Sequence, residues 1–337
     1  MKITLAGFDI AKTVFHFYGV NQAGKLIKKK AIKRGSVIGF FSQLEPCTVV
    51  MEACGSANYW YRKLSQLGHE VKLIAPQYVV AYRRKNKNDF NDAEAIAEAA
   101  QRANMCFVTA KTLEQQDVQI LLRIRDRNVS QRTRLLNQIR GMAMEYGVTF
   151  SPGKSVLKAQ LSDYIEQADN DLTVTARAVF YELYEELLVL EERIISYEKK
   201  IAQLTKDNPV CIRLQSIIGI GKITSAALFA AANDGKQFQN GRHLSAWCGL
   251  VPRQCSSGGK NVLLGISKRG NKYLRCLLVH CARAVLQHCK NKTDRLSVWA
   301  ESLKARSCYN KACVALANKL ARIAWVVMAK EQEYQAA

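Results

Sequence analysis

The chain has 337 residues, 48% of them hydrophobic and 23% charged, which allows two or three globular domains with ample cores. Its formal net charge of +22 indicates a polyanionic partner, either nucleic acid or an anionic membrane surface. Because no uninterrupted apolar run reaches the ~20 residues of a membrane span and the N-terminus has no signal-peptide pattern, we expect a cytoplasmic protein that binds nucleic acid and no membrane.

The first 100 residues alternate between predicted strands and helices. Three strands are predicted within residues 2–33, followed by a short helix at 36–44 and a buried strand at 46–53. A helix after Gly55, the strand HEVKLIAP, a basic run and the helix DAEAIAEAAQRA complete the pattern. This order is typical of an α/β fold with a mixed sheet, and we assign residues 1–150 to this domain.

The segment from Thr112 to Tyr146 is predicted to be one helix that is rich in arginine. Such a helix is by default a solvated surface helix. Six arginines with few acids between them nevertheless favour contacts with phosphates. The candidates on this helix for nucleic-acid binding are Arg123, Arg127 and Arg134.

Residues 173–206 are predicted to form a second long helix. Apolar residues step by three and four positions from Leu183 to Leu204, which indicates a coiled coil or helical arm. One helix of a bundle fits the same pattern. We assign residues 151–208 to this arm, because Asp207-Asn208-Pro209 ends the helix and marks a boundary.

Residues 209–337 are predicted to form a mostly helical domain. The segment IIGIGK lies between two helical patterns and is typical of a helix-hairpin-helix turn, whose backbone amides bind a DNA phosphate. A purely structural turn fits equally well. Further along, a small-residue loop at 255–260 precedes the basic segment GISKRGNKYLR. The candidates for nucleic-acid binding in this domain are Gly219, Gly221, Lys222, Lys260, Lys268 and Arg269.

Eleven cysteines are present, at irregular spacing and without a C-x-x-C pair. The odd number and this spacing disfavour both a disulfide framework and a zinc ribbon. We expect reduced thiols, as in a cytoplasmic protein.

Four acidic residues stand at the ends of predicted elements. Asp9 lies on the first strand and Glu52 at the end of the fourth, while Asp89 and Asp92 share one face of a helix. In a ribonuclease-H-like sheet the first and fourth strands are neighbours, which would bring Asp9 and Glu52 together. Converging carboxylates repel one another unless cations lie between them, and two Mg²⁺ ions about 3.5–4 Å apart are the usual arrangement for phosphoryl transfer.

Simpler roles are open for some of these acids. Asp9 could merely end its strand, and Asp89 and Asp92 could cap the helix and interact with its dipole. Capping does not explain Asp9 and Glu52. Basic residues before the helix would hold a phosphate backbone near a metal site, and these are Arg83, Arg84, Lys85 and Lys87.

Six segments resemble a known family. They are GFDIAK, VVMEACGSANYW and KNKNDFNDAEAIAE around the four acids, and IGIGKITSAAL, AWCGLVPRQCSSGGK and GNKYLR in the second half. They are similar to the DEDD transposases of bacterial insertion sequences, namely the insertion-sequence-110 family with its 1111 branch, related to Piv-type DNA invertases. The resemblance covers nearly the whole chain, and motifs that are weak singly are specific in this order.

The resemblance implies a fold and a mechanism. The N-terminal domain would be RuvC-like, with a DEDD set that binds Mg²⁺, expected as two ions. That set matches Asp9, Glu52, Asp89 and Asp92. A serine in the C-terminal transposase domain would be the nucleophile that bonds covalently to DNA, and the matching position is Ser257, with Ser256 adjacent. A serine hydroxyl needs activation by a base or a metal.

The resemblance also implies partners. Donor and target DNA would be the substrates, and a bridge RNA from the same element would supply sequence specificity as a guide, so that the protein mostly contacts backbones. A homodimer or homotetramer is expected, in which the RuvC-like domain of one subunit meets the serine domain of another. The helix from Leu187 to Leu204 is a candidate for the contact between subunits.

Two other functions fit the same residues. A RuvC-type, metal-dependent, structure-selective DNA nuclease would cut strands without rejoining them and would not need Ser257. A nucleic-acid-binding protein without catalysis would use its acids structurally and would not need Asp9.

Overall fold

The computed structural model describes residues 2–83 and 88–336. The chain forms two compact units, Met1–Thr112 and Leu113–Ala337. The first is a mixed α/β unit and the second is mostly helical, so the broad fold class expected from the sequence is confirmed.

In the first unit, three strands are followed by alternating helices and strands, as predicted. The strands are β1 (Leu5–Asp9), β2 (Val14–Val20), β3 (Leu26–Lys33), β4 (Thr48–Glu52), β5 (Glu70–Ile74) and β6 (Phe107–Val108). The helices are α1 (Val37–Ser42), α2 (Ala57–Gln66), α3 (Pro76–Val80) and α4 (Asp89–Ala100). Strand β6 is not among the predicted elements, because two residues carry no periodic signal.

The described strands of this unit form one sheet in the order β3-β2-β1-β4-β5-β6. Strand β1 is antiparallel to β2 and parallel to β4, and β4 is parallel to β5. The first and fourth strands are therefore neighbours, as expected. Fully buried aromatic rings dominate the core on one side of the sheet, namely Phe8, Phe15, Phe17 and Phe41.

Helix α4 lies directly on strand β1 because Gly7 has no side chain. A Cβ at Gly7 would lie 2.1 Å from the carbonyl oxygen of Ala93 and 2.7 Å from the amide nitrogen of Ala97. No larger residue fits there without moving the helix. This contact fixes α4, whose first turn carries Asp89 and Asp92, against the strand that ends in an aspartate.

The second unit contains most of the helices and a two-stranded sheet. Its helices are α5 (Leu113–Met144), α6 (Lys154–Glu166), α7 (Val174–Leu204), α8 (Pro209–Gln215), α9 (Lys222–Ala232), α10 (Gly241–Trp247), α11 (Lys272–His288), α12 (Arg295–Arg306) and α13 (Tyr309–Ala329). Its strands are β7 (Pro252–Ser257) and β8 (Lys260–Ile266), which pair as a hairpin.

The long helices α5 and α7 pack against each other inside the chain. Leu187 and Leu190 of α7 are buried in one cluster with Ile139 of α5, and Ile201 joins the core of the C-terminal helices. These positions of the apolar stripe are therefore buried within the chain, and the bundle alternative is the one observed for them. Leu204 at the end of the helix is 40% exposed, so a contact between subunits through this helix stays a prediction.

The compact units divide after Thr112, inside the domain that the sequence places at 1–150. The difference arises because α5 packs on α7 and α9. The three domains at 1–150, 151–208 and 209–337 therefore remain a proposal about functional division.

Helix α13 is long and apolar enough, by length and composition alone, to cross a membrane, with a mean hydropathy of 1.5 over its most apolar window. Isolated cations such as Lys319 and Arg322 interrupt the apolar run, in agreement with the expectation from the sequence, and the helix passes this test only on its average hydropathy. Half of that window is buried, and Leu316 and Leu320 are in the core. The helix is therefore packed as a core helix of the second unit.

All eleven cysteines lie in the described part of the chain and are free thiols. Burial raises the pKa of Cys47 to about 11 and the pKa of both Cys211 and Cys248 to about 12. These three thiols are protonated at neutral pH, as structural core residues are.

Candidate active site

Asp9 and Glu52 end two neighbouring parallel strands. Asp9 is the last residue of β1 and Glu52 the last residue of β4, and both are half-buried. The paired register of the two strands ends with Gly7 and Val50, and Asp9 and Glu52 each follow two residues later. The carboxyl ends of parallel strands are where open α/β sheets bind ligands.

Asp89 and Asp92 belong to the first turn of α4, but neither caps it. The cap is Asn88, whose side chain accepts a hydrogen bond from the amide of Asn91. Asp92 is only 8% exposed. A carboxylate can interact with the helix dipole while it stays in solvent, so the dipole alone does not account for the cost of burying this one. Capping therefore does not explain these two aspartates.

Three of the four predicted carboxylates converge. One carboxylate oxygen each from Asp9, Asp89 and Asp92 lies within 4.8 Å of the other two. Strand β1 supplies the first and helix α4 the other two, held together by the close packing at Gly7. Carboxylate oxygens at this spacing suit a hard divalent cation such as Mg²⁺.

Glu52 is not a member of that group in the described part of the chain, but it lies nearby. Burial raises the pKa of the Cys54 thiol, and the negative charges of Glu52 and then Asp9 raise it further. Both carboxylates therefore act on one thiol at the same end of the sheet. Glu52 therefore lies at the same end of the sheet as Asp9, without belonging to the group of three aspartates in the described part of the chain.

Arg83 contacts the cluster directly. Its Nε lies 2.5 Å from Oδ1 of Asp92, an ion pair whose angles do not suit a hydrogen bond. The guanidinium offsets part of the negative charge of the aspartates. Arg84, Lys85 and Lys87, the other predicted phosphate contacts in this segment, lie outside the described residues.

His16 belongs to this site, although sequence reasoning missed it. It is paired with Asp9 across β1 and β2, and its Nδ1 lies 3.7 Å from Oδ2 of Asp89. The ring contacts Phe90 edge-on, with ring centroids 4.5 Å apart. Nδ1 is buried without a hydrogen-bond partner among the described residues. The available signal was a polar residue inside the apolar strand VFHFYGV.

The loop predicted at 255–260 is instead the tip of a β-hairpin. Strand β7 runs to Ser257 and β8 starts at Lys260, so Gly258 and Gly259 form a two-residue turn. Their φ angles are +55° and +79°, as a type I′ hairpin turn requires. The expectation of a loop is wrong because a Gly-Gly pair between strands is itself a hairpin signal.

Ser256 and Ser257 point to opposite faces of β7, because side chains alternate along a strand. Both are exposed. Ser256 accepts a hydrogen bond of 2.9 Å from the side-chain amide of Gln254. The hydroxyl of Ser257 has no hydrogen bond to the residues that the structure describes. Both hydroxyls are reachable from solvent, and they differ in that Ser256 is engaged by Gln254.

The hairpin rises from a hydrogen-bonded base that contains two predicted basic contacts. The amide of Lys268 donates to the carbonyl of Gly249 at 3.2 Å. Nη1 of Arg275 donates to the carbonyl oxygens of Cys248, at 2.9 Å, and Arg269, at 3.3 Å. Lys268 and Arg269 are thus fixed at the base of the hairpin.

The segment IIGIGK forms the turn between α8 and α9. Gly219, Gly221 and Lys222 are all exposed, while Ile217 and Ile220 are buried under the turn. The predicted phosphate contacts of this turn are therefore accessible from solvent.

The arginines of α5 divide into two groups. Arg125 is paired with Glu198 of α7, at 2.6 Å, and Arg140 donates to the carbonyl of Gly153. The three predicted contacts are exposed and form no ion pair in the described part of the chain, and these are Arg123, Arg127 and Arg134.

Comparisons with known proteins match both halves of the chain. A model of the transposase IS116/IS110/IS902 family matches residues 211–297, and a DEDD transposase model of the IS110 group matches residues 6–147. The transposase for insertion sequence element IS1111A of Coxiella burnetii is 49% identical over 333 residues, which cover 99% of this chain and 92% of that protein. The transposase for insertion sequence element IS1328 of Yersinia enterocolitica is 41% identical over 326 residues, 97% of each chain.

A more distant relative is the pilin gene-inverting protein of Moraxella bovis. It is 27% identical over 249 residues, which cover 68% of this chain and 64% of that protein. The resemblance drawn from the sequence motifs is therefore confirmed. With relatives above 40% identity along almost its entire length, the chain belongs to the IS110 family of insertion-sequence transposases.

Proposed function

We propose that this transposase cleaves and exchanges DNA strands with Mg²⁺ at its carboxylates and with Ser257 as the covalent nucleophile. The observation that carries the proposal is the group of Asp9, Asp89 and Asp92, whose carboxylate oxygens lie within 4.8 Å of one another. Three converging negative charges would only repel phosphates in a protein that merely bound DNA. They are useful where a cation is held between protein and phosphate.

The strand order supports a RuvC-like, ribonuclease-H-like N-terminal domain. Three antiparallel strands are followed by two parallel ones, with the first and fourth strands adjacent. The family match over residues 6–147 supports a functional domain at 1–150 that includes α5. The separate match over 211–297 supports a C-terminal transposase domain at 209–337, with the helical arm between them.

The donor set fits Mg²⁺, which is coordinated by oxygen ligands. Asp9, Asp89 and Asp92 would hold the metal, and Glu52 would join them from the neighbouring strand. When bound, Mg²⁺ neutralises charge on phosphate oxygens and favours in-line displacement, with two ions as the expected number. Arg83 would balance the remaining negative charge at Asp92.

The hydroxyl of Ser257 would attack a phosphorus of the DNA backbone. The Oγ–P bond forms as one P–O bond to a sugar breaks, the serine proton passes to a base, and the departing sugar oxygen gains a proton. The exposed tip of the hairpin supports this role, because Gly258 and Gly259 place no side chain beside the hydroxyl. A serine hydroxyl needs activation by a base or a metal, and the resemblance, in which the RuvC-like domain of one subunit meets the serine domain of another, implies that the carboxylate-bound metal would supply it.

The expected partners rest on family resemblance and on charge. A net charge of +22 suits a protein that contacts the backbones of donor DNA, target DNA and a guide RNA. Assembly as a homodimer or homotetramer and a cytoplasmic location complete the proposal.

Replacing Asp9 by asparagine tests the metal site. We expect Asp9→Asn to lower strand cleavage and exchange on the ends of the element by ~10³-fold or more, because a ligand charge is lost while the shape is kept. The matched control is Glu45→Gln, which removes an exposed acid of the same unit whose ion-pair partner among the described residues is Lys2. EDTA should abolish the native activity. Cleavage that survives EDTA, or an Asp9→Asn variant as active as the control, would contradict the proposal.

A further inference from the structure

A basic pocket in the second unit has no part in the proposed chemistry. It is a cavity of about 690 Å³ between the start of α10 and helices α12 and α13. Its cationic and aromatic lining consists of Arg242, Lys319, Arg322, Trp299 and Trp325. None of the described residues that line it is acidic.

Lys319 is held in this pocket by an aromatic ring. Its Nζ lies 4.0 Å from the centroid of the Trp299 ring, a cation–π contact that fixes the ammonium group. Partial burial lowers the pKa of Lys319, and the positive charges of Arg322 and Arg295 lower it further. The ammonium group is therefore ordered but crowded by like charges.

The crowded cations have no counterion among the residues that the structure describes. Lys319, Arg322 and Arg242 form no ion pair with an acid of the described residues. Lys319 is half-buried while Arg242 and Arg322 are exposed, and the repulsion is strongest at Lys319, where water is partly excluded. An anion in the pocket would remove this repulsion and would meet three donors at once.

We propose that this pocket binds a phosphodiester group of a nucleic-acid strand. Arginine side chains present planar donors that match phosphate oxygens, and the lysine adds a point charge. Asn318 lines both this pocket and a neighbouring cavity of about 710 Å³, whose lining includes Pro252 and Leu263 of the hairpin. A strand with its phosphate in the pocket would therefore run beside the hairpin that carries Ser257.

Equilibrium binding in EDTA tests this site without any strand cleavage. The probes are duplex DNA, single-stranded DNA and single-stranded RNA of one sequence, each titrated over a series of salt concentrations. For Arg322→Ala we expect the slope of log K against log salt to become shallower by about 0.9 on a duplex or about 0.7 on a single strand. The matched control is Arg306→Ala, an exposed arginine at the end of α12 outside the pocket, which should keep the native slope. The probe whose slope changes identifies the source of the phosphate.

Lys319 gives a second, independent test. Lys319→Gln should weaken binding to the same probe, while Lys319→Arg, which keeps the charge, should retain it. The proposal is overturned if neither Arg322→Ala nor Lys319→Gln changes affinity or slope more than Arg306→Ala does on any probe. Because no metal is present, this result stays separate from the outcome of the Asp9→Asn cleavage experiment.

Discussion

At the scale of single residues, glycines decide how closely the elements around the sites can pack. Gly7 lets α4 lie on β1 and so brings Asp89 and Asp92 to Asp9. Gly219 does the same for the turn before α9, where an added Cβ would lie 2.5 Å from Cγ2 of Val285 in α11. Both glycines are therefore required by packing, before any contact with a ligand is considered.

Replacing Gly219 by alanine tests this packing requirement. The residue has a φ of +88°, so alanine would add backbone strain of ~1–2 kcal/mol and overpacking of ~1–3 kcal/mol. We expect Gly219→Ala to lower the free energy of unfolding by roughly 2–4 kcal/mol, measured by urea denaturation. Gly221→Ala is the control, because its Cβ would meet nothing within 4 Å, and it should change stability by at most about 1 kcal/mol, the cost of alanine at the N-cap of α9. Equal stability of the two variants would show that Gly219 is not a packing residue.

Some residues of the candidate site could be predicted from the sequence and others could not. An acid in an apolar strand and two acids three residues apart pointed to Asp9, Asp89 and Asp92. His16 could not be predicted, because the sequence does not show which residues a histidine within a strand will contact. The strand pairing and the position of α4 place its Nδ1 3.7 Å from Oδ2 of Asp89. Arg83 was predicted as a phosphate contact, but its ion pair with Asp92 could not be predicted, because that pair depends on the path of the chain before the helix.

At the scale of elements, the hairpin of β7 and β8 is the main departure from the sequence prediction. Its strands are exposed on both faces, so neither the alternation nor the buried run that usually marks a strand is present. The Gly-Gly turn was the available signal. The α5–α7 pair shows a related limit, because a repeating apolar stripe predicts a helix contact but not whether the partner helix lies in the same chain.

The hairpin geometry separates the two candidate nucleophiles. We expect Ser257→Ala to abolish the covalent protein–DNA adduct and to lower strand exchange by ~10³-fold or more. Ser256→Ala should keep both, because its hydroxyl is occupied by Gln254 on the opposite face of β7. The adduct is measured on a denaturing gel with labelled DNA. A Ser257→Ala variant that still cuts DNA but does not rejoin it would favour the structure-selective nuclease instead.

At the scale of the whole molecule, the positive charge and the order of the elements were the strongest signals in the sequence. The alternation of strands and helices predicted the mixed sheet, and the comparison with a ribonuclease-H-like sheet predicted the contact between β1 and β4. The excess of cations predicted a polyanionic partner, which agrees with membership of a transposase family. The carboxylates and Ser257 belong to different compact units, so the proposed chemistry can be completed either within one chain or across two.

Mixing two inactive variants tests whether the active site is shared between subunits. Asp9→Asn keeps Ser257, and Ser257→Ala keeps the carboxylates, so a mixed dimer would hold one complete site if the two groups act across subunits. If the two variants assemble at random, half of the dimers are mixed. Each mixed dimer would have one complete site where a native dimer has two, so strand exchange should recover to about a quarter of the native level. Asp9→Asn mixed with Asp92→Asn is the control, and it should stay inactive because both changes affect the same group of carboxylates. Co-purification through two different tags verifies that mixed assemblies form. If they form and strand exchange does not recover, the carboxylates and the serine act within one chain.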